Sequence, residues 1–102
     1  GFSIAALSSE LASAAYVALA KLFINEGNMT KALHFASKAL IYNRQNIMAH
    51  MIICYSNRKL KNEPAAMAAL AKVYILDPLL SRYDSNPLYI SCLHRLTFYL
   101  PN

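Results

Sequence analysis

Histidine, cysteine and carboxylate side chains are the groups in this sequence that could carry acid–base, nucleophilic or metal chemistry. The histidines His34, His50 and His94 are well separated along the chain, and none belongs to an HExxH pattern. Cys92 and His94 could form a thiol–base pair, but residues two apart on a helix point to different faces. The carboxylates are scattered: Glu10, Glu26, Glu63, Asp77 and Asp84. We therefore expect no enzyme, and we interpret His50 as a packed ring with a satisfied nitrogen.

Cofactor and metal sites also lack their usual residues. The two glycines, Gly1 and Gly27, are too few for a dinucleotide-binding turn and lack the Lys and Ser or Thr spacing of a phosphate-binding loop. Cys54 and Cys92 stand far apart in the sequence without a CxxC pair, so neither a zinc site nor a disulfide framework is indicated. We expect reduced thiols that pack as small apolar groups, no metal and no cofactor.

The charge balance is basic but dispersed. Ten Lys and Arg against five acids give a net charge of +5 and a pI near 9.4, which would suit a nucleic acid or an acidic peptide. Only Arg58, Lys59 and Lys61 cluster, at a predicted helix C-terminus, and both a solvated helix end and an anion-binding patch fit them. The seven tyrosines and four phenylalanines could stack on bases. Most fall on predicted buried stripes, so we expect no nucleic acid as a partner.

Neither a membrane segment nor a natural start is indicated. The widest gap between charged residues runs from Arg44 to Arg58, which is shorter than the roughly 18 uncharged apolar residues of a membrane span. We therefore expect no membrane partner. The apolar N-terminus has no basic leader and begins with Gly1, so we expect an excised fragment of a larger protein without a signal peptide. The compartment of that protein is unknown.

The elements that must position these side chains repeat along the chain. When the sequence is displaced by 34 positions, identical residues align, and similar residues align between them. The identical pairs are Ala15 with Ala49, Asn28 with Asn62, Ala32 with Ala66, Lys38 with Lys72 and Ile41 with Ile75. Two copies of one unit are predicted, at about 13–46 and 47–80.

Each unit is predicted to contain two helices. In the first unit they span about 9–26 and 30–42, with Gly27 in the turn and Thr30 as the N-cap of the second helix. In the second unit they span about 46–60 and from 62 or 63 to 76, with Asn62 as an N-cap and Pro64 in the first turn. Asp77 and Pro78 are predicted to end the last of these helices, because the residue before a proline resists the helical conformation. The residues at helical spacing in the first unit are Leu11, Ala15, Leu19, Leu22 and Phe23, then Ala32, Leu33, Ala36, Ala39 and Leu40 as a buried stripe.

Beyond Pro78 the period fails. Residues 79–85 are predicted to be irregular or briefly helical, and Asn86 and Pro87 open a closing helix at about 87–99 that Pro101 ends. This helix is either a closing element or the first half of a truncated third unit. Because no segment shows the sustained alternation of a half-buried strand, we expect an all-α fold in one domain, 1–102.

The residues of both units resemble the tetratricopeptide repeat (TPR), a family of antiparallel helix pairs that stack as a solenoid. The matching large residues are Tyr16, Leu19, Phe23, Ile53 and Leu70, the matching small ones are Ala20, Ala32, Ala39, Cys54 and Ala66, and Pro78 matches the proline that ends a unit. Departures from the pattern, at Ala36, Arg44, His50, Asn57 and Val73, concern local packing. The resemblance implies a TPR-like solenoid of two repeats plus a C-terminal helix. In such a stack small residues let the helix backbones approach, so we expect Ala20, Ala32, Cys54 and Ala66 at the close contacts.

A narrower resemblance is to the repeat tail of large bacterial proteins that carry a mutarotase-like β-sandwich upstream. The residues that carry it are Tyr42-Asn43-Arg44 with Asn46 and Ala49, Arg58-Lys59-Leu60, Asp77-Pro78-Leu79 and Arg82. This resemblance implies a bacterial source and a helper segment attached to a carbohydrate-related protein.

The family resemblance also implies a binding surface, since TPR arrays bind extended peptides or partner helices on a concave face formed by the first helix of each pair. The corresponding residues are Val17, Lys21, Ile24, Asn25, Met48, Met51, Tyr55, Arg58 and Lys59. Met48 and Met51 would be adaptable apolar contacts, and Lys21 and Arg58 would meet a carboxylate. The Lys and Asn clamp of the chaperone-binding members has no counterpart here.

Two functions remain open. The first is a protein–protein interaction module that uses the concave groove or its stacking ends, with a protein or peptide partner of unknown identity. The second is a structural spacer or homodimerisation segment. Repeat arrays generally need three or more units and polar end caps, whereas two units with few charges are predicted here. We therefore expect a two-fold symmetric dimer.

Overall fold

The computed structural model describes residues 3–79, which form four α-helices and no strand. The helices are α1 (Ile4–Asn25), α2 (Met29–Tyr42), α3 (Ile47–Lys59) and α4 (Glu63–Leu76). The all-α class is thereby confirmed. The predicted closing helix at 87–99, residues 80–85, Cys92 and His94 lie outside the described residues.

The sequence repeat is reproduced in the bounds of the helices. α2 and α4 have 14 residues each and occupy equivalent positions in the two units, and α3 is the counterpart of residues 13–25 in α1. The turns match as well, because the amides of Asn28 and Asn62 donate to the carbonyls of Phe23 and Asn57, both at 2.8 Å. The two pairs α1–α2 and α3–α4 are therefore helical hairpins with equivalent helix positions and turns.

The helices of the first hairpin differ from the prediction in two places. α1 begins at Ile4 instead of about residue 9, because the Ser3 Oγ accepts the Ala6 amide at 3.0 Å and caps the helix earlier. α2 is capped by Asn28 and not by Thr30, because the Asn28 Oδ1 accepts the Lys31 amide at 3.1 Å. α1 is consequently 22 residues long, against 13 for α3.

The core lies where the hairpins meet. α2 packs against both α1 and α3, α3 packs against α4, and α1 also touches α3. The buried residues form one alanine-rich cluster of Val17, Ala20, Ala32, Ala36, Ala39, Ala49 and Ile52, and a second of Met51, Cys54, Ala66, Ala69, Leu70 and Val73. The small residues expected at close contacts, Ala20, Ala32, Cys54 and Ala66, are all fully buried. That prediction is confirmed.

Polar contacts hold the junction between the hairpins. The buried Ser13 Oγ donates to the Ala39 carbonyl at 2.7 Å and accepts from the Asn46 Nδ2 at 2.9 Å. Asn46 is also the N-cap of α3, where its Oδ1 accepts the Ala49 amide. The buried His50 ring places its Nε2 3.0 Å from the Arg44 carbonyl, which confirms His50 as a packed ring with a satisfied nitrogen.

Candidate functional site

The residues predicted to line a concave groove do not form one exposed surface. Val17 and Met51 are buried, the first in the alanine-rich cluster and the second against α4. Both therefore pack in the core, which disfavours them as partner-binding residues. Lys21, Asn25 and Lys59 are exposed, and Ile24, Met48, Tyr55 and Arg58 are half-buried. The groove is left without two of its apolar contacts because α1 and α3 turn them toward the packed helices.

The basic cluster at the end of α3 is engaged within its own hairpin. The Arg58 Nε lies 3.9 Å from the Glu63 Oε2 across the α3–α4 turn. The Lys59 Nζ stands 5.4 Å from the centroid of the Tyr55 ring, a cation–π contact. These contacts favour the interpretation as a solvated helix end over that as an anion-binding patch.

Four aromatic rings stack in a ladder between α1 and α2. In order they are Tyr42, Tyr16, Phe35 and Phe23, with neighbouring centroids 5.6, 6.1 and 5.4 Å apart and nearly parallel planes. The Nζ atoms of Lys38 and Lys31 lie over Tyr16 and Phe23 at 5.6 and 5.3 Å. The ring faces within the ladder are thus already occupied, which disfavours stacking of nucleobases on them.

An open cavity of about 320 Å³ lies between α2 and α4. Its lining residues are Leu40, Arg44, His50, Lys72, Ile75 and Leu76. It has two cationic side chains and no carboxylate, and His50 is held by the Arg44 carbonyl. Among residues 3–79 no three His, Cys, Asp or Glu side chains are grouped as metal ligands, and Cys54 is a buried free thiol. We find no acid–base or nucleophilic pair in this cavity.

The most distinctive surface of the described residues is an apolar stripe along the outer face of α1. We define the apolar stripe as Ile4, Leu7, Leu11, Ala14, Ala15, Ala18 and Leu22, with Leu19 at its edge. Its five large side chains are between 39% and 85% exposed, and its alanines are exposed as well. The opposite face of α1 carries the buried Ser13, Val17 and Ala20. At 1.5 Å per residue the stripe is about 27 Å long.

Two charged residues flank the apolar stripe on one side. Glu10 and Lys21 are both exposed, and their spacing of three helical turns returns to nearly the same side of the helix. That spacing also separates them by about 16 Å along the axis, too far for a contact within one helix. Neither has an ion-pair partner among residues 3–79.

Periodicity located this helix but did not show which face is outside. Leu11, Ala15, Leu19 and Leu22, whose spacing predicts the helix, point away from the core. α1 is apolar on both faces, so the pattern alone gives no preference. The signal that could have separated the faces is Ser13, which lies on the same face of the helix as Val17 and Ala20. A small hydroxyl residue on an apolar helix face indicates a close contact with another helix.

α1 also has the length and composition of a membrane-crossing helix. Over an 18-residue window its mean hydropathy is 1.4 with at most two charged residues, and 17% of that window is buried. The sequence prediction required a run without any charge, and Glu10 and Lys21 interrupt such a run. A test that allows two charged residues in the window is met by α1. In the structure, however, α1 is joined to α2 and α3 through the Ser13 hydrogen bonds.

Comparison with known proteins adds no family to these observations. No family model, no curated protein and no solved structure matches the chain. The TPR assignment stays a prediction.

Proposed function

We propose that this chain is a protein-interaction module of the TPR type that binds another protein surface through the apolar stripe of α1. The observation that carries the proposal is the exposure of Ile4, Leu7, Leu11, Leu19 and Leu22 on one helix. Together they expose on the order of 500 Å² of apolar surface, near the upper end of the roughly 300–600 Å² of the largest patch on a typical monomer. An exposed patch of that size on a regular element is typical of an interaction site.

The energetics of the stripe support association. Covering on the order of 500 Å² of apolar surface contributes roughly 12 kcal/mol before the costs of association are subtracted. Residues 13–25 of α1 are already ordered by the buried face that carries Ser13, Val17 and Ala20, so little further ordering of that part opposes binding. This is the stacking-end form of the interaction module, because α1 is the terminal helix of the first hairpin.

The remaining alternatives have less support. The concave groove lacks Val17 and Met51 as accessible contacts, so binding there would depend on half-buried and charged side chains. A spacer with no ligand would gain nothing from an apolar outer face. On the narrower resemblance alone, we extend the proposal to a bacterial source and a helper segment attached to a carbohydrate-related protein; the sequence of the gene that encodes this chain tests that part.

Site-specific photo-crosslinking in the producing cells tests the proposed surface. A benzophenone amino acid replaces Leu11 in the stripe, and a matched variant carries it at Ile75, which is similarly exposed on α4. We expect discrete protein adducts from position 11 and none from position 75. No adduct from position 11, or the same adducts from both positions, would contradict the proposal.

A further inference from the structure

We infer that the occupant of the apolar stripe is the stripe of a second copy of this chain, packed antiparallel about a two-fold axis between Ala14 and Ala15. This inference rests on the proposed function and names its partner. The pairing uses the apolar stripe and the flanking residues Glu10 and Lys21, and the face of α1 that packs on α2 and α3 stays unchanged.

The size pattern of the stripe is self-complementary, as a two-fold interface requires. With the axis between residues 14 and 15, Leu7 of one copy faces Leu22 of the other, and Leu11 faces Ala18. At the centre Ala14 of each copy faces Ala15 of the other, and these small side chains allow the helices to approach closely. The leucine pairs therefore fill the interface toward both ends, and next to the centre a leucine packs against an alanine. No pair of facing side chains is too large for the space between the helices.

Charge complementarity selects the antiparallel orientation. In this arrangement the same flank of each helix faces the partner's equivalent flank, so Glu10 of one copy lies beside Lys21 of the other. The offset between them is about 3 Å along the axis, which long side chains can span. The contact occurs twice by symmetry. A parallel pair would bring opposite flanks together and leave both charges without that contact, and it would also align the two helix dipoles unfavourably.

The buried area fits a dimer that dissociates on dilution. Two stripes with their alanines would bury on the order of 1,000 to 1,200 Å², at the lower limit of specific interfaces. An interface made by one helix from each copy therefore predicts a reversible equilibrium between monomer and dimer instead of an obligate dimer.

Sedimentation equilibrium of the purified chain at low salt, with charge-reversed variants, tests the pairing. We expect Glu10→Lys and Lys21→Glu each to weaken dimerisation by about tenfold, since each removes two ion pairs and creates two like-charge contacts. The double variant should return to within about threefold of the unchanged chain. Both residues are exposed, so the variants should fold, and the Ile75→Glu variant is the control for a charge placed elsewhere.

A distance measurement reads the orientation directly. A nitroxide label at Glu26→Cys, on a Cys54→Ala and Cys92→Ala background, should give a separation of about 35 Å between copies in the antiparallel pair. A separation below about 20 Å would indicate a parallel pair and overturn the inference.

The outcomes separate this inference from the proposed function. Additive rather than compensating charge reversals overturn the Glu10–Lys21 contact. A strict monomer whose position 11 still crosslinks to a different protein overturns the second copy and leaves the proposed function standing. A monomer that sediments with neutral lipid vesicles, and loses this with Leu11→Glu, would assign the stripe to a membrane and overturn both.

Discussion

Lys61 has the same left-handed backbone conformation as Gly27, its counterpart in the first unit of the repeat. Their φ angles are 65° and 79°, and each residue lies in the turn that joins the two helices of its hairpin. Each also precedes the asparagine that caps the next helix. The left-handed region suits glycine and costs other residues roughly 1 kcal/mol or more. The second turn is therefore strained where the first is not.

Replacing Lys61 with glycine should stabilise the fold by up to about 1 kcal/mol, because it removes that strain. The Lys61→Ala variant is the control, since it removes the charge but keeps the Cβ, and it should gain little. Gly27→Ala should have the opposite sign and cost about 1 kcal/mol, although its new Cβ would meet no atom within 4 Å. Urea unfolding measures all three, and equal effects of Lys61→Gly and Lys61→Ala would refute the strain.

The Ser13→Ala variant, which lacks the hydroxyl, should be destabilised by about 1–3 kcal/mol. The Ala39 carbonyl and the Asn46 side-chain amide would each lose a buried hydrogen-bond partner. Ser37→Ala is the matched control: its hydroxyl donates to the Leu33 carbonyl at 2.8 Å but is exposed, so the change should stay within about 0.5 kcal/mol. Both are measured by thermal and urea unfolding. Equal effects would show that the junction contributes no more than an exposed contact.

Enlarging Ala66 to leucine should cost about 1–3 kcal/mol, since Ala66 is fully buried against Met51, Cys54 and Leu70. Ala68→Leu on the same helix is the control, because Ala68 is exposed and the extra methyl groups meet solvent. A melting temperature that Ala66→Leu leaves unchanged would mean that the seam between α3 and α4 is wrongly placed.

Replacing Phe35 with leucine should cost about 1–3 kcal/mol and reduce the near-ultraviolet circular dichroism. Phe35 stacks on both Phe23 and Tyr16, and such ring pairs contribute about 0.5–1.5 kcal/mol each beyond their buried area. Tyr42→Phe keeps the outer ring of the ladder and should leave stability within about 0.5 kcal/mol. An unchanged aromatic spectrum in Phe35→Leu would contradict the stacking.

The sequence was sufficient for the hairpins because their signals are local. Asn62 with Pro64 fixed the start of α4, and the Asp77–Pro78 pair fixed its end, in agreement with the structure. The prediction of Thr30 as a cap was wrong although the repeat held the answer, since Asn28 aligns with Asn62. The early start of α1 was missed because residues 4–8 are exposed among the described residues, so burial imposes no pattern on them.

The candidate site was less predictable because burial is a tertiary property. Met51 and Tyr55 lie one turn apart on α3, yet the first is buried and the second half-buried. Positions carried over from a family pattern cannot show such differences when neighbouring helices vary. The stripe on α1 was also hidden, since a helix that is apolar all round looks alike whether it is enclosed or faces outward.

The extra length by which α1 exceeds α3 has a consequence of its own. Most side chains of residues 4–12 are exposed. Two and a half turns held mainly by their own backbone bonds are marginal in water, so their amide hydrogens should exchange quickly with solvent in an isolated chain. Slow exchange at those amides would therefore show, without any label or added ligand, that another surface is bound to this end of the helix.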